Sequence, residues 1–400
     1  MQVSRKDFTD QEIQDAYAEA EGRMAKAASL LTDLGRGAVS PQLARYWVSK
    51  LDSTELPREQ DRVKELAALR NIRAENNRLR RALDEALGRV GTREALLDGI
   101  SDAVRTLSTK RVPPLRQRTP VSLKGTPLTV EVLLSDLQIG KLSGTYNTDI
   151  AFNRLRELGS ALVFQIKQKI DAGYNVERII LAIIGDIIES DKKHDNSARA
   201  TDTGTAQQIH DATVGIFEFI LKPLAQLGIQ LDVPCVTGNH DWDGHGITQF
   251  RPGREQLSYP LYKALELLCH TARMDHVRFD IPDGVFTTAH IYGQTVLYEH
   301  GVGVSVTEQA MKAHKIKRSE QLGKYITFFR MGDKHNVCSF NSGQYVVNGA
   351  FFGSDNEGVE YSSIAGFSSV PAQWMGFHTP RDDSRFTLYD SFVIQLAHVN

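Results

Sequence analysis

Between residues 128 and 335, one apolar run after another stops at a short polar cluster. This recurrence constrains the fold more than any other feature of the chain. LTVEVLLSD leads into Asp136 and Gln138, ERIILAIIGD ends on Gly185-Asp186, and IQLDVPCVTGNHD ends on Gly238-Asn239-His240-Asp241. QTVLYEHG ends on His300-Gly301, and YITFFRMGD leads into Asp333 and His335. Short, almost wholly apolar runs predict strands covered on both faces, and the segments 150–172 and 205–228 between the first three predict helical crossovers. The chain is therefore expected to be α/β with parallel strands. From about residue 276 the segments shorten (VRFD, VFTTAH, QTVLYEHG, YITFFRMGD, VCSFN, QYVVNGAFF), which predicts a second sheet with antiparallel elements. The architecture expected is a β-sandwich flanked by helices.

In α/β sheets, ligands bind beyond the carboxyl ends of the strands. The five polar tips, spread over about 200 residues of chain, are thus expected to meet on one rim. Singly, each is a weak signal, because a carboxylate ends many strands and Gly-Asp occurs in many turns. GNHD is more specific, since glycine allows a strained turn directly before three polar residues. The ordered set D-x-Q, GD, GNHD, HG and G-x-x-H, each after its own apolar run, carries the functional weight.

This set resembles the calcineurin-like metallophosphoesterase superfamily, and within it the SbcD-type DNA repair exonucleases, particularly those encoded by bacteriophages. The resemblance covers about residues 130–350, and NGAFFGSDNEGVEYSS followed by VPAQW is similar to the region after the last metal motif of the phage branch. It implies that Asp136, Gln138, Asp186 and His335 hold a first metal. Asp186 would bridge to a second, completed by Asn239, His300 and Asp333. His240 matches the catalytic histidine, and Asp241 beside it would orient its ring. Two positions depart from the family pattern: Gln138 stands where D-x-H has histidine, and Asp333 where G-H-x-H has its first histidine. Both substitutes ligate through oxygen, so only His300 and His335 offer nitrogen, and a harder shell favours Mn²⁺ or Mg²⁺ over Zn²⁺. Two divalent ions, Mn²⁺ first, are the expected cofactors. Lys192, Lys193 and His194 after the GD motif, and His245 in WDGHG, are solvated loop residues or substrate contacts; His210, His270, His276, His290 and His314 read as structural.

The N-terminal region has a different texture. Residues 1–55 predict short helices: Asp10 as cap of one carrying Ile13, Tyr17 and Ala20, and a second through Met24, Leu30, Leu31 and Leu34. Ser40-Pro41 starts a third with Leu43, Trp47 and Leu51 on one stripe. The outline is that of a helix-turn-helix, or of a small helical cap. Residues 56–107 predict a long helix or coiled coil, with a 3-4 alternation through Leu69, Ile72, Asn76, Leu79, Leu83, Ala86 and Val90; a homodimer paired along that seam is expected. Four prolines mark 108–127 as a linker, and 128–400 is then the expected metallophosphoesterase domain.

Charge is unevenly placed. Residues 1–120 carry 22 Lys and Arg against 18 Asp and Glu, leaving 25 of 47 and 31 of 49 for the rest, so the N-terminal part is mildly basic and the remainder acidic. Three widely spaced cysteines without a CxxC pair exclude a disulfide framework or zinc finger and suit a reducing compartment. No apolar stretch approaches ~18 residues, so a cytoplasmic protein is expected (host cytoplasm, if phage-encoded). The expected function is a two-metal phosphodiesterase, a DNA nuclease of exonuclease type. The alternatives are a phosphatase or nucleotide phosphodiesterase, or a DNA-binding protein with a weakened metal site. DNA is the expected partner. With no G-x-x-x-x-G-K-[ST] loop in the sequence, any ATP-driven step would need a separate ATPase.

Overall fold

The computed structural model describes residues 4–51, 125–191, 200–242, 253–354, 369–381 and 386–399. The chain divides into two compact units, Met1–Gly88 and Arg89–Asn400. The expected long helix over 56–107, its heptad seam and most of the expected linker lie outside the described residues.

In the first unit, α1 (Asp10–Glu19), α2 (Met24–Asp33) and α3 (Pro41–Val48) pack around Ile13, Leu31, Ala44 and Trp47. The cap of α1 is Thr9, not Asp10. Its hydroxyl accepts from the Glu12 amide at 3.2 Å while the Glu12 carboxylate accepts from the Thr9 amide at 2.8 Å. A reciprocal capping box satisfies two otherwise orphaned donors, which Asp10 one residue later cannot do. Ser40 caps α3 with Pro41 following, as the sequence predicts. Gln42, Arg45 and Tyr46 of α3 are exposed, as is Lys50 just beyond its end.

The second unit is built on two sheets. The first, in the order β11-β10-β1-β2-β3-β4, comprises β1 (Thr126–Leu134), β2 (Tyr174–Ile184), β3 (Gln230–Val236), β4 (Val277–Asp280), β10 (Ala372–His378) and β11 (Leu388–Gln395). The second, in the order β5-β6-β7-β9-β8, comprises β5 (Phe286–Ile291), β6 (Gln294–Glu299), β7 (Phe328–Met331), β8 (Cys338–Phe340) and β9 (Tyr345–Val347). Strands β1 to β3 are parallel, as expected, and β4 continues them in parallel. One placement differs from the sequence expectation: VRFD extends the first sheet beside β3 instead of opening the second. The C-terminal hairpin β10–β11, for which there is no sequence expectation, returns to that sheet antiparallel to β1. Long-range pairing decides both, and a four-residue strand carries no sequence signal of its partner.

Side-chain alternation explains the layers. On β2, Ile179, Leu181 and Ile183 face a core shared with α4 (Thr148–Asp171), α5 (Thr205–Ile216) and α6 (Ser258–Thr271). Ile180, Ala182 and Ile184 face the other way, onto Val296, Tyr298, Phe328 and Trp374 between the sheets. Each such fully buried aliphatic side chain contributes about 1.5–3 kcal/mol. Beyond the second sheet, Met311 of α7 (Glu308–Leu322) packs on Phe329 and Tyr345. The expected single helix over 205–228 is interrupted. A π turn, Phe217–Leu221, separates α5 from the short helix Lys222–Ala225, next to Pro223, which has no amide to donate. The result is an α/β protein with two mixed sheets face to face and helices on both outer sides.

Candidate metal centre

The tips of β1, β2, β3, β6 and β7 meet. Asp136, Asp186 and His300 bring ligand atoms that all lie within 4.8 Å of one another, and all three side chains are buried. His300 Nε2 is 3.1 Å from Asp186 Oδ2, 3.1 Å from Asn239 Oδ1 and 3.7 Å from Asp333 Oδ1. His335 Nε2 is 3.6 Å from Asp136 Oδ1, and the Asp333 amide reaches the same oxygen at 3.2 Å. Gln138 is anchored next to them by its amide, which donates to the Asp186 carbonyl at 3.0 Å. Six of the seven expected ligands are thus joined by direct contacts of the side chains or adjoining backbone, and Gln138 by its backbone.

Five of these seven residues share a left-handed backbone conformation. Asp136, Gln138, Asp186, Asp333 and His335 have φ of 53°, 42°, 52°, 66° and 59°. The left-handed region costs a non-glycine residue about 1–2 kcal/mol, and such strain gathers where function over-determines a position. Close approach of two loops adds to it. A Cβ on Gly185 would lie 2.4 Å from the Gly238 nitrogen, and one on Gly238 would lie 2.2 Å from Asp186 Oδ1. The GD and GNHD turns touch backbone to backbone, which only glycine permits.

The hydrogen bonds assign the imidazole nitrogens. His300 Nδ1 lies 2.7 Å from the Ile184 carbonyl, which can only accept, so Nδ1 carries hydrogen and Nε2 faces the carboxylates. His240 Nδ1 is likewise 3.0 Å from the Glu189 carbonyl and 3.3 Å from Glu189 Oε2, leaving Nε2 4.0 Å from Asp186 Oδ2. Glu189 therefore orients His240. Asp241, expected in that role, does something else: its carboxylate accepts from the backbone amides of Asp186 (3.0 Å), Ile187 (3.2 Å) and Gly238 (2.8 Å). It ties the GD turn to the GNHD turn, and its oxygens are turned away to those amides.

Burial pushes the Asp136 carboxyl up to about 8, helped by the neighbouring charges of Asp186 and Asp333 and opposed by His300 and Ser135. Burial disfavours a charge on His300, but Asp186, Asp136 and Asp333 outweigh it and raise its pKa to about 10. Burial, with the charges of His240 and Lys141, lowers His335 to about 4. Crowded carboxylates that hold on to a proton are a cluster in need of a cation, and a metal ion arriving there displaces that proton. Both amide atoms of Gln138 are buried without a hydrogen-bond partner, which costs about 1–3 kcal/mol unless a ligand supplies one. The donor set, the orphaned amide and the strained backbone all fit divalent metal.

Three residues beneath Asp136 carried no sequence expectation. Ser135 Oγ donates to Asp136 Oδ2 at 2.5 Å, Asn348 Nδ2 donates to Ser135 Oγ at 2.9 Å, and Gln373 Oε1 accepts from Asn348 Nδ2 at 2.8 Å. All three are buried. Asn348 opens the NGAFF stretch whose resemblance was noted, whereas Gln373 is 238 residues from Ser135 and gives no local signal. Glu189 was legible in principle as the acid three residues after Asp186. Lys192, Lys193, His194 and His245 lie outside the described residues. Of the histidines read as structural, His276 and His314 bond to the Ala225 carbonyl and to Glu299, and His290 to Thr295.

Fold and site together define a two-sheet α/β protein with a candidate three-residue metal cluster at its strand tips. No family model matches the chain, and no curated protein does. Solved structures similar to it include one described as a novel archaeal phosphodiesterase, at 10% identity and TM-score 0.29, covering 66% of this chain and 99% of that one. Vacuolar protein sorting 29 from Cryptosporidium parvum aligns at 10% identity and TM-score 0.29, over 67% and 96% of the two chains. A conserved protein of Streptococcus pneumoniae, described as a predicted phosphoesterase, aligns at 11% identity and TM-score 0.27, over 67% and 98%. At TM-scores this low, the chemistry has to be read from the site itself.

Proposed function

We propose that this chain is a two-metal phosphodiesterase of the calcineurin-like class, with DNA as its substrate and nuclease action of exonuclease type. The observation that carries the reading is the convergence of Asp136, Asp186 and His300 within 4.8 Å, at the ends of three strands. Asp136, Gln138, Asp186 and His335 would hold one ion, and Asp186, Asn239, His300 and Asp333 the other, with Mn²⁺ preferred for so oxygen-rich a shell. Bound there, the ions would supply charge neutralisation at the phosphoryl group and activation of water for attack.

The protein's own residues do the rest. The Asp241 clamp fixes Asp186 and Asn239 relative to one another. Glu189 holds the His240 ring with Nδ1–H committed, so Nε2 is the nitrogen that exchanges a proton or hydrogen bond with the phosphate ester. Arg45 and Tyr46 (58% exposed) on α3, with Lys50 just beyond its end, support the nucleic-acid part of the reading. Dimerisation along the seam from Leu69 to Val90 and a separate ATPase partner belong to the same proposal.

The test is hydrolysis of end-labelled linear and circular DNA with Mn²⁺, Mg²⁺ or chelator, by wild type and His240→Ala. The expected result is Mn²⁺-dependent cleavage of linear DNA, lost in the variant. Cleavage of a small chromogenic phosphodiester but of no DNA would move the substrate to a nucleotide or small ester. Stoichiometric Mn²⁺ binding with no hydrolysis of any ester would leave a metal-binding protein that is not an enzyme.

A further inference from the structure

We propose that Ser135, Asn348 and Gln373 are positioning residues that hold Asp136 as a one-oxygen ligand, so that the first metal position takes a small octahedral ion such as Mn²⁺ in preference to Ca²⁺. The inference rests on the two-metal reading above and deepens it by naming what selects the ion.

The two oxygens of Asp136 have different surroundings. Oδ1 lies 3.6 Å from His335 Nε2, another ligand expected of the same ion. Oδ2 accepts from the Ser135 hydroxyl at 2.5 Å. The Asp333 amide lies 3.2 Å from Oδ1 and 3.3 Å from Oδ2, and so favours neither. Gly332 closes over the hydroxyl side: a Cβ there would lie 2.6 Å from Asp136 Oδ2 and 2.8 Å from Ser135 Oγ.

Backbone groups fix the direction in which that hydroxyl donates. The Trp374 amide can only donate, and it reaches Asn348 Oδ1 at 2.9 Å. Asn348 Nδ2 therefore faces Ser135 Oγ at 2.9 Å and Gln373 Oε1 at 2.8 Å as a donor. Gln373 is oriented in the same way. Its Oε1 accepts from the Ser135 amide at 3.0 Å, and its Nε2 donates to the carbonyls of Gly349 (2.8 Å), Ala372 (2.9 Å) and Ser135 (3.2 Å). The Ser135 oxygen, already accepting from Asn348, turns its hydrogen to Asp136 Oδ2.

The three residues come from distant parts of the chain and from both sheets. Ser135 follows β1, Asn348 follows β9, and Gln373 lies within β10. The Asn348 amide donates to the Met331 carbonyl at 2.7 Å, and the Phe351 amide to the Asp136 carbonyl at 3.0 Å. Ser135, Asp136, Asn348 and Gln373 are all fully buried. A buried polar network with its hydrogen bonds satisfied rigidifies its members, and outer partners of this kind orient metal ligands.

Ion choice follows from the number of oxygens on offer. Ca²⁺ collects a large, flexible oxygen shell and often takes both oxygens of one carboxylate, whereas smaller octahedral ions hold to fewer ligands in stricter geometry. With Oδ2 committed to Ser135, Asp136 serves the smaller ion fully and denies Ca²⁺ its second oxygen.

The experiment titrates full-length wild type, Ser135→Ala, Ser135→Thr and Asn348→Asp with Mn²⁺ and, separately, with Ca²⁺ in a calorimeter. The binding step compared is the one that Asp136→Asn weakens most, and circular dichroism checks that each variant is folded. In Ser135→Ala, Mn²⁺ affinity is expected to fall about tenfold while Ca²⁺ affinity holds or rises, so the Mn²⁺ to Ca²⁺ preference falls by about tenfold or more. Ser135→Thr keeps the hydroxyl and the preference. Asn348→Asp keeps the acceptor for Trp374 but draws the Ser135 hydrogen to itself, and its preference falls as in Ser135→Ala without any loss of volume at Ser135. A wild-type preference in folded Ser135→Ala and Asn348→Asp, even with both affinities lowered together, overturns the positioning role and leaves the metal centre standing. A wild type that binds neither ion overturns both.

Discussion

At the scale of single residues, the site separates ligands from supports by where each oxygen and nitrogen is committed. Asp186 receives the His240 amide on one oxygen and faces His300 with the other, so it couples two turns as well as the two expected ions. Asp186→Ala is expected to abolish Mn²⁺ binding by calorimetry. His240→Ala is expected to keep that affinity and lower kcat by about 10²–10⁴, the range of a lost general acid or base; equal turnover in variant and wild type would remove His240 from the chemistry. Asp241→Ala gives a third pattern. Three buried amides lose their acceptor, so melting temperature and Mn²⁺ affinity fall together, at about 1–3 kcal/mol for each unsatisfied group. A variant that keeps both but loses turnover would restore Asp241 to the ring-orienting role expected of it. The residues that converge at the strand tips were legible because each follows its own apolar run within a few residues. Ser135, Asn348 and Gln373 were not, because what makes them matter is contact across as many as 238 residues of chain.

At the scale of elements, the parallel strands and crossover helices could be read from periodicity, whereas sheet membership could not. VRFD and the C-terminal hairpin have no local mark of which sheet they join, and pairing with β3 and β1 settles it. The turns were half legible. Glycine in GD and GNHD announced tight geometry, but the facing of Gly185 and Gly238 appears only when β2 and β3 lie side by side. That contact makes a specific prediction. Gly238→Ala drives a methyl group against Asp186 Oδ1 at 2.2 Å, so Mn²⁺ affinity should drop at least tenfold while far-ultraviolet circular dichroism stays that of wild type. Unaltered Mn²⁺ affinity would mean that the two turns can separate without disturbing the carboxylate.

At the scale of the whole second unit, the two sheets are joined by an ion pair in a core that periodicity predicts to be apolar. Glu131 of β1 points between the sheets and meets Arg330 of β7, Nη2 to Oε2 at 3.0 Å, the Tyr298 hydroxyl at 2.8 Å and His378 Nε2 at 3.0 Å. The guanidinium lies between Trp374 and Phe328, 4.9 and 5.0 Å from their rings. Burial alone would raise the Glu131 carboxyl; Arg330 and His378 outweigh it and hold it at about 2, below its ordinary 4.5. Burial keeps His378 neutral below its ordinary 6.5. For both groups the unfolded chain takes up a proton before the folded one does, so both erode stability as pH falls. The His378 contribution begins to fade below pH 6.5, and the Glu131 contribution is whole above 4.5 and fades towards about 2. Removing one partner strands a buried charge. Glu131→Gln or Arg330→Met should each cost about 3–5 kcal/mol in urea unfolding at pH 7, and Glu131→Leu with Arg330→Met together less than either alone. Losses in the double variant equal to the sum of the single losses would show that the two charges are not coupled across the sheets. That outcome would make the apolar layer around the pair, rather than the pair itself, what fixes the second sheet over the strand tips where the candidate metal residues meet.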